Sequence, residues 1–590
     1  MTALLCRSRV PAARYRFRLR PSLDKQGNSA TITGRKVLLR KKYPMRQRLI
    51  LSLILALIST GFAFDGARYL VICRDEFVPA VTPLVEWRYA SGFSCRLVRL
   101  SETGTDTAAV RNYIVNAYRN WPVKPEYVLL VADPAFLRAK IYGSGPTRYY
   151  SDNYYGDVTG DFRAELAVGR LPAKTIEQCE RLVNKVLAYE VRPDTTGCWM
   201  QRLTTIVRED GDTDDSIYWA NVRYAAALAG SAGFLGCDSL SYFRGHNAQD
   251  VVNSVNAGTG FVLYRGRGSG NWYSPFAVDP GQCNNGTRLP IVLSITCETM
   301  ALDPYDSMAG QAWMLAAAPA ILRGAAAFFG NTHSDNDVAA KRSPVARGFF
   351  SGLFGAGRYR LGDAALQAKA QLYQEYPDTL CREDYRGFNI FGDPAMALWT
   401  ATPKRIDVTH PAEVLVGPHD IVVTVTSRGS PVPGATACAS MDTTVHVFGP
   451  TDHLGRVTLR VNPADTGQMR LVVSGQNLYP YNGVIHVVTE VGVGEQTRAP
   501  VTPVLACQPN PFRTRTAVRS PAAADMSGRI GIYDASGRCV KVLAISHASA
   551  VTVWDGRDAS GRTVQPGVYI VQLEVSPGRV LARSSVTRLR

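Results

Sequence analysis

The sequence predicts an α/β domain built on a mostly parallel sheet with helices on both faces, followed by two small all-β sandwich domains. Three observations predict it. Residues 65–400 alternate continuous apolar runs with amphipathic stretches, the pattern of strands buried on both faces and of the helices that cover them. From about Ala401 the texture changes to short alternating runs broken by Gly and Pro, as in antiparallel sandwiches. The chain has 590 residues, 46% of them hydrophobic, which is more than one core holds, so several domains are expected.

Taken in order, "ARYLVIC" is an apolar strand and "EFVPAVTPLVEWRYASG" a helix closed by Gly92. "YVLLVAD" and "AELAVGRLP" are buried strands, and "TIEQCERLVNKVLAYE" has its apolar residues at helical spacing. "LTTIV", "GFVLYRG", "PIVLSITC" and "GAAAFFGNT" are further strands, with helical stretches at 308–318 and 362–376. Two subdomains are expected here, at about 65–195 and 196–400. "DIVVTVTSRGSPVPGATACAS", "GRVTLRV" and "MRLVVSG" give the first β zone, 401–494. A polar, Pro-containing link at 495–503 leads to a second zone, 504–590, with hairpin turns at Asp534–Gly537 and Asp558–Gly561.

The net charge of +17 does not indicate a nucleic-acid partner. Residues 1–50 hold fourteen Lys and Arg against the single acid Asp24, and so carry +13 of it. A nucleic-acid surface lies on a folded face, whereas this charge sits in an unpatterned leader. Residues 45–63 then follow secretory logic: a basic start (Met45-Arg46-Gln47-Arg48), an apolar run at 49–58, and small residues at Gly61-Phe62-Ala63. Residues 1–44 read as an extension ahead of the true start, with an uncleaved anchor as the alternative. No later run is long enough to span a bilayer, so a secreted or cell-surface protein is expected. None of the twelve cysteines forms a CxxC pair, which argues against zinc. Export permits disulfides, but the spacing names no partners. Cys6 lies in the leader, so eleven remain and at least one should be free.

The chemistry collects at strand ends, where open α/β sheets bind ligands. Cys297 ends "LPIVLSITC", placed as a nucleophile would be; the ordinary alternative is a core cysteine. The neighbouring loops are "YRGRGSGNW", with Arg267, and "FFGNTHSDN", with His333. If their strands are neighbours, Arg267, Cys297 and His333 converge on one edge. "IVREDGDTDDS" adds Glu209, Asp210, Asp212, Asp214 and Asp215, read as a solvated acidic turn or a structural calcium site. No cofactor is required.

These segments carry a family resemblance. "YVLLVAD", "YGDVTGDFRAELAVGRLP", "YRGRGSGNW", "LPIVLSITC" and "FNIFGDPAMALW" resemble the gingipain-type cysteine peptidases, relatives of caspases and legumain. The resemblance implies a caspase-like fold, protein or peptide substrates and an exported endopeptidase. The first β zone, with "GATACAS" and "LYPYNGVIHV", resembles the Ig-like domain that follows in that family. The last, with "PNPF", "IYDASGR" and "WDGRD", resembles type IX secretion signals and hook-capping Ig-like modules, implying bacterial secretion machinery as a partner. Residue by residue, the nucleophile falls on Cys297 and the acidic third member on Glu209 or Asp210. The oxyanion donors fall on the N–H groups of Gly268 and Cys297. A carboxylate selecting basic substrates falls near Asp214 or Asp215, and Trp272 falls on the substrate side.

The family histidine falls on Arg267. A guanidinium beside the sulfur supplies positive charge, but it cannot exchange a proton near neutral pH. General acid–base catalysis contributes roughly 10²–10⁴-fold, so amide cleavage should weaken while acylation by an activated ester survives. His333 is the candidate substitute base; its plainer reading is a loop histidine. His246 supplies a Gly-His pair but stands about twenty residues too early. The sequence thus supports a cysteine endopeptidase acting through Cys297. The alternatives are an inactive peptidase-fold protein that binds peptides, and a surface scaffold.

Overall fold

The computed structural model describes residues 66–318, 321–335, 338–442, 444–489, 505–519, 529–544, 551–576 and 579–590. The expected leader, signal segment and 495–503 link lie outside the described residues. The chain falls into two compact units; the first holds the α/β region with most of the following β zone, the second the C-terminal zone with short pieces of the zone before it.

Ten strands make the main sheet: β1 (Tyr69–Cys73), β2 (Cys95–Arg99), β3 (Tyr127–Val131), β4 (Ala167–Leu171), β5 (Arg202–Val207), β6 (Gly236–Ser241), β7 (Phe261–Arg265), β8 (Ile291–Ile295), β9 (Ala327–Asn331) and β10 (Phe388–Phe391). The longer helices that accompany them, with the last short one, are α1 (Val78–Ala90), α2 (Thr107–Asn120), α3 (Ile176–Glu190), α4 (Asp214–Ser231), α5 (Ala248–Ala257), α6 (Ala309–Leu315), α7 (Ala339–Phe350), α8 (Leu361–Glu375) and α9 (Arg382–Gly387). The strand order is β2-β1-β3-β4-β10-β9-β8-β7-β5-β6. Neighbours are parallel except β9 and β10. Two parallel halves therefore run in opposite directions and meet at that seam. The expectation of a mostly parallel sheet holds.

Both faces are covered, as the continuous apolar runs require. In β1, Tyr69, Val71 and Cys73 join a core that includes α1 and α3, while Leu70 and Ile72 face α2 through Val110 and Ile114. Helix α1 spans most of the segment read as helical, and the stretch read as a helix over 308–318 forms only α6 before turning extended at Ala317–Ala318. Helices α2, α4, α7 and α9 stand outside the predicted set. All eleven described cysteines are free thiols.

Beyond the α/β region the described chain is strand-rich. In the first zone β11 (His419–Ser427) pairs with β14 (Arg456–Val461), and β12 (Thr436–Met441) pairs with β13 (Val445–Pro450) and β15 (Gly467–Ser474), all antiparallel. In the C-terminal zone a four-stranded antiparallel sheet, Arg529–Tyr533, Cys539–Ala544, Gly567–Ser576 and Arg579–Arg588, packs around Ile530, Ile532, Trp554 and Val571. Among the described residues no helix is long and apolar enough to cross a membrane.

Two lysines are buried inside the α/β region. Lys185 donates to the carbonyls of Trp313 (3.3 Å) and Met314 (2.6 Å), and Lys369 to Asn153 Oδ1 (2.9 Å). Burial pushes both amines down to about 7, because a low-dielectric site disfavours the charged form. The unfolded chain then binds more protons than the native one between about 7 and the ordinary 10.5, so stability rises with pH across that window and the contribution is flat below it. Lys369→Met is expected to flatten the rise of the melting temperature between pH 7 and 9. An unchanged slope in thermal melts would count against a neutral Lys369.

Candidate active site

Strand register assembles the site. Val207, Arg265 and Ile295 are aligned across β5, β7 and β8, so Glu209, Arg267 and Cys297 each lie two residues beyond the same line. Ser294 is level with Gly330 on β9, which brings the His333 segment to that edge as well. The four loops nominated by the sequence therefore leave one carboxyl edge.

Cys297 is half-buried, and its Sγ is engaged from the core side. Arg342 on α7 donates from Nη1 to the sulfur at 2.7 Å, while the thiol reaches the Asp335 carbonyl at 3.4 Å. Arg342 is 1% exposed. Its Nε meets Asp384 Oδ1 at 2.7 Å and its Nη2 the His333 carbonyl at 3.3 Å. Burial opposes the charge on Arg342, yet Asp384 and the sulfur hold it above its ordinary value. Asp384 is fully buried; Lys341 reaches it at 3.1 Å and Asn331 Nδ2 at 3.0 Å. The two cations keep its carboxyl below the usual range although burial pushes the other way.

The residue after Cys297 is conformationally unusual. Glu298 has φ = 34°, a left-handed backbone that costs a non-glycine about 1–3 kcal/mol. Its N–H donates to the His333 carbonyl (3.3 Å) and its carbonyl accepts from Gly270 (2.7 Å), so it ties the three loops together. Burial pushes its carboxyl up, opposed by the Ser269 hydroxyl at 3.4 Å.

Arg267 does not contact the sulfur. It is 53% exposed and turned to the acidic loop, with Nε 2.8 Å from Asp210 and Nη2 2.6 Å from Asp212. The Asp212 hydrogen bond, chiefly, holds it above its ordinary value. Arg208 also pairs with Asp210. Glu209 is buried and separate from this group. It accepts from Trp219 Nε1 (3.1 Å), the Ser241 hydroxyl and the Tyr242 N–H (2.9 Å). Glu209 thus fastens the loop after β6, while Asp210 and Asp212 are the acids that meet Arg267.

The remaining nominated residues divide. Gly268 lies where a Cβ would meet Thr296 at 2.9 Å, so the loop lies against the strand end that carries Cys297. Trp272, expected at the substrate side, is a core residue: 1% exposed, stacked on Tyr264 at 4.6 Å and bonded to Ser294 at 2.8 Å. Both Asp215 oxygens accept loop N–H groups, those of Asp210 and Gly211 at 2.9 Å each, so Asp215 shapes the loop. Asp214 opens α4 half-buried. His333 is 7% exposed with its ring against Tyr149, centroids 4.7 Å apart; its Nδ1 is buried without a hydrogen-bond partner, and burial pushes the imidazole down. His246 Nδ1 lies beside Ser241. Among the described residues no group of three or more His, Cys, Asp or Glu is arranged to hold a metal ion; Asp210 and Asp212 have arginines as counter-charges instead.

Comparison with known proteins decides the family. The model for peptidase family C25 matches residues 63–399, more than half the chain. The chain belongs to peptidase family C25. Gingipain R2 of Porphyromonas gingivalis is 20% identical over 500 residues, covering 81% of this chain and 63% of that protein. Lys-gingipain HG66 of the same organism is 23% identical over 244 residues, 40% of this chain and 14% of that protein. The chain thus spans less than two thirds of the length of these curated relatives. Among solved structures, the Arg-specific cysteine proteinase gingipain R matches with a TM-score of 0.65 at 19% identity, covering 72% of this chain and 99% of that one. At that identity the match shows a shared fold.

In this C25 chain the residues that sequence reasoning missed are Arg342, Asp384 and Lys341. Lys341 and Arg342 sit in "AAKRSPVARGFF", where a charged pair and an internal proline mask the helix. The one usable signal was charge embedded in an otherwise apolar run, which in a folded protein implies a buried partner.

Proposed function

We propose that the chain is an exported cysteine endopeptidase of the gingipain type, acting on protein or peptide substrates through Cys297. The observation that carries this reading is Cys297 itself: a half-exposed sulfur at the carboxyl edge of a central strand, 2.7 Å from a buried guanidinium. In this scheme the sulfur attacks the carbonyl carbon and the N–H groups of Cys297 and Gly268 receive the oxyanion. The departing amine takes its proton from water, since neither Arg267 nor Arg342 releases one near neutral pH. Amide hydrolysis is then slow, and substrates with better leaving groups react faster. The signal-like segment at 45–63 supports export, and the C-terminal β zone is the proposed address for secretion machinery. Asp214 is the carboxylate proposed to receive a basic substrate side chain, as Asp215 is engaged by backbone.

A second reading, a peptide-binding protein that does not cleave, is favoured by the two ion pairs that turn Arg267 away from the sulfur. The test is covalent. An acyloxymethyl-ketone peptide should label Cys297, and Cys297→Ala should lose both the label and all peptide hydrolysis. Hydrolysis that persists in Cys297→Ala sinks the nucleophile assignment, whereas labelling without hydrolysis selects the binding reading.

A further inference from the structure

In the histidine-type mechanism the positive charge beside the thiolate comes from the loop that here carries Arg267. In this chain that loop turns its charge outward, and a different element faces the sulfur. Helix α7 places Arg342 with its whole guanidinium engaged: one edge on Asp384, one nitrogen on the His333 carbonyl, one on Cys297 Sγ. The planar fork is held on three sides, so it presents its N–H to the sulfur at a fixed distance. A donor carrying formal charge at 2.7 Å bonds most strongly to an anionic acceptor.

The other charged groups around the pair are few. On α7, Lys341 bridges Asp384 and Asp335 at 3.1 Å each. From β7, Arg265 lies buried with its nitrogens on the Ile295 and Ala339 carbonyls and its charge facing Tyr218, the like charge of Arg342, Asp214 and the sulfur. From the loop after β9 come Asp335 and His333, and Glu383 faces His333.

We propose that Arg342 is the counter-ion of the Cys297 thiolate, aligned by Asp384, and so is a positioning residue that takes over one half of the missing histidine's work. The other half, proton delivery, has no substitute in this pair. The inference rests on Cys297 being the nucleophile. In the step it describes, the thiolate forms a C–S bond and the leaving group departs with its electron pair. Arg342 keeps its proton throughout. Substrates whose leaving groups depart as anions, such as aryl esters, therefore acylate Cys297 faster than amides bearing the same acyl group.

The test uses the full chain and iodoacetamide, which forms the C–S bond and releases iodide, with each cysteine followed by mass spectrometry. At pH 6 Cys297 is expected to alkylate at least tenfold faster than Cys198, an exposed cysteine of the same chain. Arg342→Met should remove that advantage, and Arg342→Lys should retain most of it, with Cys198 unchanged in both. The proposal is overturned if wild-type Cys297 at pH 6 is no faster than Cys198, a result that needs no variant to fold. It is also overturned if Arg342→Met, shown folded by circular dichroism, keeps the wild-type rate. Peptide cleavage read in parallel separates the two claims: fast alkylation without cleavage supports the ion pair and removes the peptidase reading.

Discussion

Arg267→His is expected to raise amide hydrolysis at Cys297 by about 10²- to 10⁴-fold, the usual contribution of a positioned general acid–base. The loop is already shaped for it. Gly266 adopts φ = 151°, and a Cβ there would meet Arg208 Cβ at 2.7 Å, while Gly268 lies against Thr296. Trp272, stacked beneath Tyr264, anchors the return of the hairpin. None of these contacts involves the Arg267 guanidinium, so the backbone path survives the change. Asp210 stays neutralised by Arg208, and the lost ion pairs are half-exposed, worth about 0–1 kcal/mol. The readout is hydrolysis of a peptidyl anilide, with Cys297→Ala/Arg267→His as the blank. A folded Arg267→His protein that cleaves no faster than wild type would show that proton delivery does not enter from this loop.

How much of this was legible beforehand depended on whether the signal was local. "YVLLV" and "PIVLSI" declare buried parallel strands in five or six residues, because a strand covered on both faces has no polar side. The register of β5, β7 and β8, once they are adjacent, puts Glu209, Arg267 and Cys297 on one line with no further information. The Cys297–Arg342–Asp384 chain is different. Its members are 45 and 42 residues apart, joined only by the packing of α7 and α9 around the end of β9, and no periodicity encodes that. The acidic turn shows the opposite limit: five nearby carboxylates read as a solvated loop or a cation site, and nothing local names their counter-charges. The cations that answer Asp210 and Asp212 are Arg208 and Arg267, the latter brought over from β7. Trp272 was misplaced for a related reason, since proximity to a glycine-rich loop says nothing about which way a ring turns.

Asp393→Ala is expected to cost about 3–5 kcal/mol of stability, the penalty of removing one partner from a buried ion pair. Asp393 follows β10, the strand at which the two halves of the sheet meet, and it is fully buried. Arg88 on α1 reaches it at 2.6 and 2.9 Å and reaches Glu190 on α3 at 2.7 Å. Glu190 in turn accepts from the Ala397 N–H at 2.6 Å, and the other Asp393 oxygen from Ala395 at 2.9 Å. Losing the carboxylate leaves a buried guanidinium with one anion in place of two and a backbone donor unmet, and it frees the turn after β10 from the helices that cover the sheet. Glu126→Ala is the control. It breaks an ion pair with Arg68 that is equally short, 2.8 Å, but 38% and 49% exposed, so it should cost no more than about 1 kcal/mol. Denaturant midpoints compared at constant slope measure the difference. Equal losses in the two variants would mean that burial does not set the worth of these pairs, and that the seam at β10 is held by packing alone.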